Sequence, residues 1–242
     1  MGKSRPKIAA HIKREVRQRC GFGCVICGLP LYEYEHMTEW SKAKRHVADE
    51  ITLLCNLHHA EKTRGLLPVA AVRRANANPK NLHSTDSTPY DLYFSGDTCL
   101  VTMGGNKAIH YFSHSPVANA LVIDGFPVIK FEQSNDHLLL SLQIYGRNGR
   151  RLLQIDQNEL VYSVNSWDIE LVGTTLTIRG GLRKILTEIK FDPSQGVNIS
   201  RGIFARGNHV IRVEPDYLMD EMKDIRMSNT HVEGCAGWAF AF

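Results

Sequence analysis

Cys24-Val-Ile-Cys27 and Cys55-Asn-Leu-His58 are two pairs of soft or borderline ligands, each with two residues between its members. Two such pairs match the order and ligand types of a closed tetrahedral structural Zn²⁺ site. Two more histidines, His36 in the run YEYEHM and His59 directly after His58, are not needed by that quartet. They are therefore available for a second, working site built on the zinc staple. Either His58 or His59 can take the fourth zinc place; the Cys-x-x-His spacing favours His58. The six cysteines (20, 24, 27, 55, 99 and 235) would also suffice for disulfides. The metal spacing, and an N-terminus without the apolar run of an export signal, favour zinc in a reducing cytoplasm.

The elements that would hold these groups follow from periodicity. Ile8, Ile12 and Val16 recur at helical spacing through residues 8–20, with Lys13, Arg14, Arg17 and Arg19 on the other sides, and Gly21 and Gly23 end the pattern. This predicts a short basic helix packed over the knuckle, its outer face open to phosphate contact. Residues 31–37 and 51–55 are strand candidates. Residues 57–64 read as a helix with Asn56 as N-cap and Gly65 closing it. Adjacent helical residues lie about 100° apart, so His58 can turn to zinc while His59 turns to the hairpin. Lys62 and Thr63 lie on the face of His59.

Residues 31–65 resemble the zinc-containing HNH nucleases. The matching stretches are Glu35-His36, then Glu50-Ile51-Thr52-Leu53-Leu54-Cys55, then Asn56-Leu57-His58-His59 and Lys62. His58 stands where that family usually has a second Cys, and Glu50 where Asn is usual. The resemblance implies a ββα-metal fold and metal-dependent endonuclease activity, a hydrolysis of phosphodiester bonds with double-stranded DNA as partner. It assigns Glu35, in place of Asp, as the carboxylate that holds a catalytic Mg²⁺ or Mn²⁺ together with His59.

The chemistry asks for such groups in its own right. Water attacking a phosphodiester needs a base and a cation beside the leaving oxygen, and an imidazole of ordinary pKa, about 6.5, suits the base. His36 is that candidate, and Lys62 is placed to neutralise phosphate. Strict strand alternation would send Glu35 and His36 to opposite faces, so both serve one site only if the strand bends or ends there. In the loop Thr38 to Asp49, Glu39 and His46 read as solvated, and Lys42, Lys44 and Arg45 form a basic run suited to backbone phosphates.

Charge is divided unevenly. Residues 1–80 carry 15 Lys/Arg against 7 Asp/Glu, or +8; the rest carries 29 − 15 = 14 against 25 − 7 = 18, or −4. The basic part is the part with the metal ligands, which suits nucleic acid. No apolar run is long enough to span a membrane.

Past Gly65 the pattern changes. PVAAVRRAN predicts a short helix with Pro68 at its start, and residues 79–90 read as a polar connector. From about residue 91 short apolar runs alternate with turn signals (SGD, GGN, DGFP, RNG, DQN, RGG, DPSQG, RGN), and Asn148-Gly149 is the strongest hairpin turn. A helix is expected around Asp216 to Met227 and a last buried strand in GCAGWAFAF. Cys99 and Cys235 read as small core residues, and the histidines of this region lack ligand spacing. The resulting organisation is α+β: a zinc-stapled HNH unit over 1–66, a short helix and linker over 67–90, and an all-β domain, sandwich or solenoid-like, over 91–242. The alternative is a catalytically inactive, zinc-dependent nucleic-acid-binding or protein-interaction module.

Overall fold

A computed structural model describes residues 6–38, 40, 44–234 and 238–242. Glu39, Lys42 and Cys235 lie outside the described residues. The fold is mixed α+β and mostly β. It divides into two compact units, one of residues 1–88 with Trp167–Glu170, the other of 89–166 with 171–242. No helix among the described residues is long and apolar enough to cross a membrane.

Unit 1 contains α1 (Ala10–Arg19), β1 (Glu33–His36), β2 (Ile51–Leu54), α2 (Asn56–Thr63) and α3 (Val69–Ala77). β1 and β2 pair antiparallel, with Glu35 opposite Thr52 and His36 opposite Ile51, and α2 follows β2 directly. Val16, Val25, Ile51, Leu53, Leu54 and Val72 form a buried cluster with the sulfurs of Cys20, Cys24 and Cys55. α1 stops where Gly21 and Phe22 adopt positive φ, +66° and +59°.

Three expectations for this unit are corrected. The N-cap of α2 is Cys55, and Asn56 is the first helical residue. This sets the Cys55 sulfur at the N-terminus of the helix. Residues 67–88 are part of the unit: Val72 of α3 is fully buried, and Asn81 donates to the carbonyls of Gly21 and Gly28 while accepting from the amide and hydroxyl of Thr88. A buried amide with every contact satisfied ties the supposed connector onto the knuckle.

The third correction concerns the basic face of α1. Arg17 is 5% exposed and forms a fork with Asp168, Nε to Oδ1 at 2.7 Å and Nη2 to Oδ2 at 2.6 Å, while Nη1 reaches Glu170 and the Tyr34 hydroxyl. Arg14 lies over the Trp167 ring, Lys13 over Tyr34, and Arg19 bonds Asp49 and two carbonyls. These cations are used inside unit 1, by residues that the helical pattern alone could not show.

Unit 2 contains β3 (Tyr90–Asp91), β4 (Thr98–Met103), β5 (Asn106–Tyr111), β6 (Val117–Ile123), β7 (Phe126–Ser134), β8 (His137–Tyr145), β9 (Arg151–Asp156) and β10 (Glu159–Tyr162). Beyond these come β11 (Asp168–Val172), whose first residues belong to unit 1, β12 (Thr175–Gly181), β13 (Lys184–Asp192), β14 (Gly196–Arg206), β15 (His209–Glu214), β16 (Tyr217–Asp220), β17 (Ile225–Met227), β18 (His231–Glu233) and β19 (Trp238–Ala241). One sheet has the order β19-β6-β7-β8-β9-β10-β3; in the other, β11 to β17 follow in chain order, with β4 attached to β14, β5 to β4 and β18 to β5. Alternation is regular, as in β8, whose Leu138, Leu140, Leu142 and Ile144 are buried. Phe94 meets Phe131 of the first sheet and Phe191 of the second edge to face, and a Cβ at Gly202 of β14 would touch Ile144 of β8 at 3.4 Å. The two sheets thus meet at these residues.

Most turn signals fall between strands. RGG instead lies at the end of β12, and the turn follows at Leu182-Arg183. The helix expected over 216–227 is strand, turn and strand: Leu218 and Asp220 alternate inward, and Asp220 Oδ1 accepts the amides of Met222 and Lys223, closing the turn. Pairing with β15 overrides the local helical preference. The last strand is present as β19, parallel to β6, with Phe240 buried, and Cys99 is a core residue whose thiol burial pushes up to about 12.

Candidate functional site

The knuckle closes through its own backbone. Gly28 N–H donates to the Cys24 carbonyl at 2.7 Å and Cys24 N–H to that of Leu29, while Val25 N–H bonds Leu53 of β2. Gly28 has φ +80°, and a Cβ there would lie 2.1 Å from Thr88 Oγ1 and 2.3 Å from Asn81 Oδ1. Only glycine fits this turn.

Cys24, Cys27, Cys55 and His58 present ligand atoms that all lie within 4.8 Å of one another. Cys27 Sγ is 3.7 Å from Cys55 Sγ, and His58 Nδ1 is 3.4 Å from Cys24 Sγ and 3.1 Å from Cys55 Sγ. Metal–sulfur bonds of about 2.3 Å in a tetrahedron give edges of about 3.8 Å between sulfurs. The quartet fits structural zinc in donor type, number and size. Hydrogen bonding with Cys27 holds the Cys24 sulfur below its ordinary pKa. Among the described residues Cys20, Cys24, Cys27, Cys55 and Cys99 form no disulfide.

α2 divides its adjacent histidines as the helical phase requires. His58 joins the quartet, and His59 turns to β1, where Nε2 lies 3.1 Å from Glu35 Oε2 and 3.8 Å from Glu33 Oε2. Lys62, one turn on, reaches Glu35 Oε1 at 2.5 Å, and the Thr63 hydroxyl donates back to the His59 carbonyl. Glu35, His59 and Lys62 are therefore one cluster of half-buried charge beside the zinc quartet.

His36 and Glu50 are placed elsewhere. Alternation along β1 carries His36 to the other face, where it is 3% exposed. His36 Nε2 is 3.1 Å from His46 Nδ1, His46 Nε2 is 2.8 Å from the Pro6 carbonyl, and Trp40 stacks on His46. A carbonyl only accepts, so His46 carries its proton on Nε2. Glu50 pairs with Arg45 and has its second oxygen buried without a partner among the described residues.

No family model matches the chain. No curated protein and no solved structure matches it either. The functional reading therefore rests on the site itself.

Two contributors escaped the sequence reading. Glu33 stands two residues before Glu35, on the same face of β1, and strand period could have found it. His46, expected as a solvated loop residue, meets His36, and nothing in its neighbours in the chain signals that contact.

Proposed function

We propose that unit 1 is a metal-dependent endonuclease of the HNH type, acting on DNA. The observation that carries this reading is the convergence of Glu35 and His59 beside a Cys₃His quartet, on a hairpin and helix joined without a loop. Glu35 and His59 offer one carboxylate oxygen and one imidazole nitrogen on an accessible face, a donor pair suited to Mg²⁺ or Mn²⁺. When bound, such an ion would supply charge stabilisation for the departing 3′-oxygen. Lys62 holds Glu35 in place and brings a positive charge to incoming phosphate. By the resemblance His36 is the base, which requires β1 to bend so that the buried imidazole reaches the phosphodiester held at Glu35 and His59.

The test is nicking of supercoiled plasmid with Mg²⁺ or Mn²⁺ by the wild type, His36→Ala and His59→Ala. The reading requires divalent-dependent nicking that both substitutions abolish.

A second reading is favoured by the placement of His36 on the far face of β1, buried, and by the Lys62 ammonium already neutralising Glu35. In it, the zinc-stapled unit binds nucleic acid and does not hydrolyse it. Salt-dependent DNA affinity without nicking under any divalent ion would select that alternative.

A further inference from the structure

β14 changes partners part-way along. Its residues 196–201 are laddered to β13, from Asp192 opposite Gly196 to Glu188 opposite Arg201; from Gly202 onward it is laddered to β15. The first part of β13, Lys184 to Thr187, is paired with β12 on its other edge and has no ladder to β14. A fork therefore opens in the sheet of unit 2 at Arg201-Gly202, and the loop after β8 closes one end of it.

The cleft at this fork has a volume of about 110 Å³. Its charged lining is Arg147, Lys184, Arg201, Arg212 and Glu214, a balance of 4 − 1 = +3 inside a domain that is otherwise mildly acidic. Glu214 pairs with Arg201, and Arg212 pairs with Glu221 through one terminal nitrogen while its Nε is buried without a partner among the described residues. Arg147 and Lys184 have no ion-pair partner among the described residues, and both are exposed at the rim. Arg147 and Lys184 therefore bring to the cleft charge that no carboxylate among the described residues neutralises, which an anion would satisfy. Guanidinium groups match the spacing of paired oxygens on a tetrahedral oxyanion. The volume is well below the roughly 300 Å³ of sites that enclose a whole small molecule, so the cleft takes one charged group.

We propose that the fork between β13 and β14 binds the phosphate group of a ligand whose remainder stays outside the cleft. Arg201 and Arg212 form its inner wall and Arg147 and Lys184 its rim. The site is independent of hydrolysis by unit 1.

The experiment is calorimetric titration of the full-length protein with inorganic phosphate, AMP and adenosine at about 0.1 M salt, where exposed charges more than about 10 Å apart are screened. Saturable binding of phosphate and AMP, with none of adenosine, is expected; AMP tighter than phosphate assigns a nucleotide source, and equal affinities assign the free anion. Arg147→Ala with Lys184→Ala, both at the exposed rim, should weaken binding at least tenfold. Glu214→Gln should tighten it several-fold, and Lys130→Ala, which is not among the residues lining the cleft, should leave it unchanged. Absence of saturable phosphate binding, or equal weakening by Lys130→Ala and the double variant, overturns the proposal.

Discussion

Glu35 and His36, consecutive in the chain, stand on opposite faces of β1: the carboxylate meets His59 and Lys62, and the imidazole meets His46. If both act on one phosphodiester, β1 must bend at this point so that His36 turns to the face of Glu35. His36→Ala should then lower divalent-dependent nicking by about 10²- to 10⁴-fold, the usual worth of a general base, with zinc content and fold unchanged. His46→Ala should alter the rate far less. Activity that survives His36→Ala would remove this residue from the chemistry.

The quartet makes a separate prediction about folding. Cys24→Ala or Cys55→Ala should release zinc and unfold unit 1, because zinc ligation is folding free energy in so small a unit. Zinc analysis with limited proteolysis reads both effects, and the β strands of unit 2 should stay protected. A variant that keeps its metal and its protease resistance would show that the quartet is no zinc site.

Arg17 and Asp168 form a buried ion pair whose partners are each nearly inaccessible. Burial alone would lower the Arg17 pKa, but the Asp168 carboxylate, with Tyr34 and Glu170, holds the guanidinium charged. Asp168→Ala leaves that charge without its main partner and should cost about 3–5 kcal/mol in denaturant unfolding of unit 1. Arg17→Met with Asp168→Leu should recover most of the loss. Equal destabilisation in the single and double variants would mean that the charge pair is not the cause.

His209 is clamped in unit 2 between Asp124 and Asp220, Nδ1 and Nε2 each 3.0 Å from a carboxylate oxygen. The Asp124 hydrogen bond, against desolvation and with help from Asp220, raises the His209 pKa; burial would raise that of Asp220, but His209 and the amides of Lys223 and Met222 lower it. A raised imidazole stabilises fully below its unfolded pKa, about 6.5, and that contribution is lost as pH rises through the folded value. The lowered Asp220 contributes above its unfolded value and loses its share as pH falls through the folded one. Thermal unfolding of unit 2 should therefore peak in mildly acidic solution and decline towards alkaline pH. His209→Asn should flatten the alkaline decline, and an unchanged profile would contradict the clamp.

Local rules made much of the molecule legible. The x-x spacing of two ligand pairs selected the members of the zinc quartet, and the 100° step of α2 separated His58 from His59. Period-two apolar runs broken by glycine-containing turns marked the strands of unit 2. These signals involve residues a few positions apart, where backbone geometry alone decides which side chains share a face. The pairing of Arg17 with Asp168, of His36 with His46, and of Asn81 with the knuckle glycines joins positions whose proximity no local period encodes. So does the conversion of residues 216–227 from helical preference to a strand pair on β15. Long-range burial decided these, because a charge or amide leaving water must find its partner wherever the packed chain supplies one.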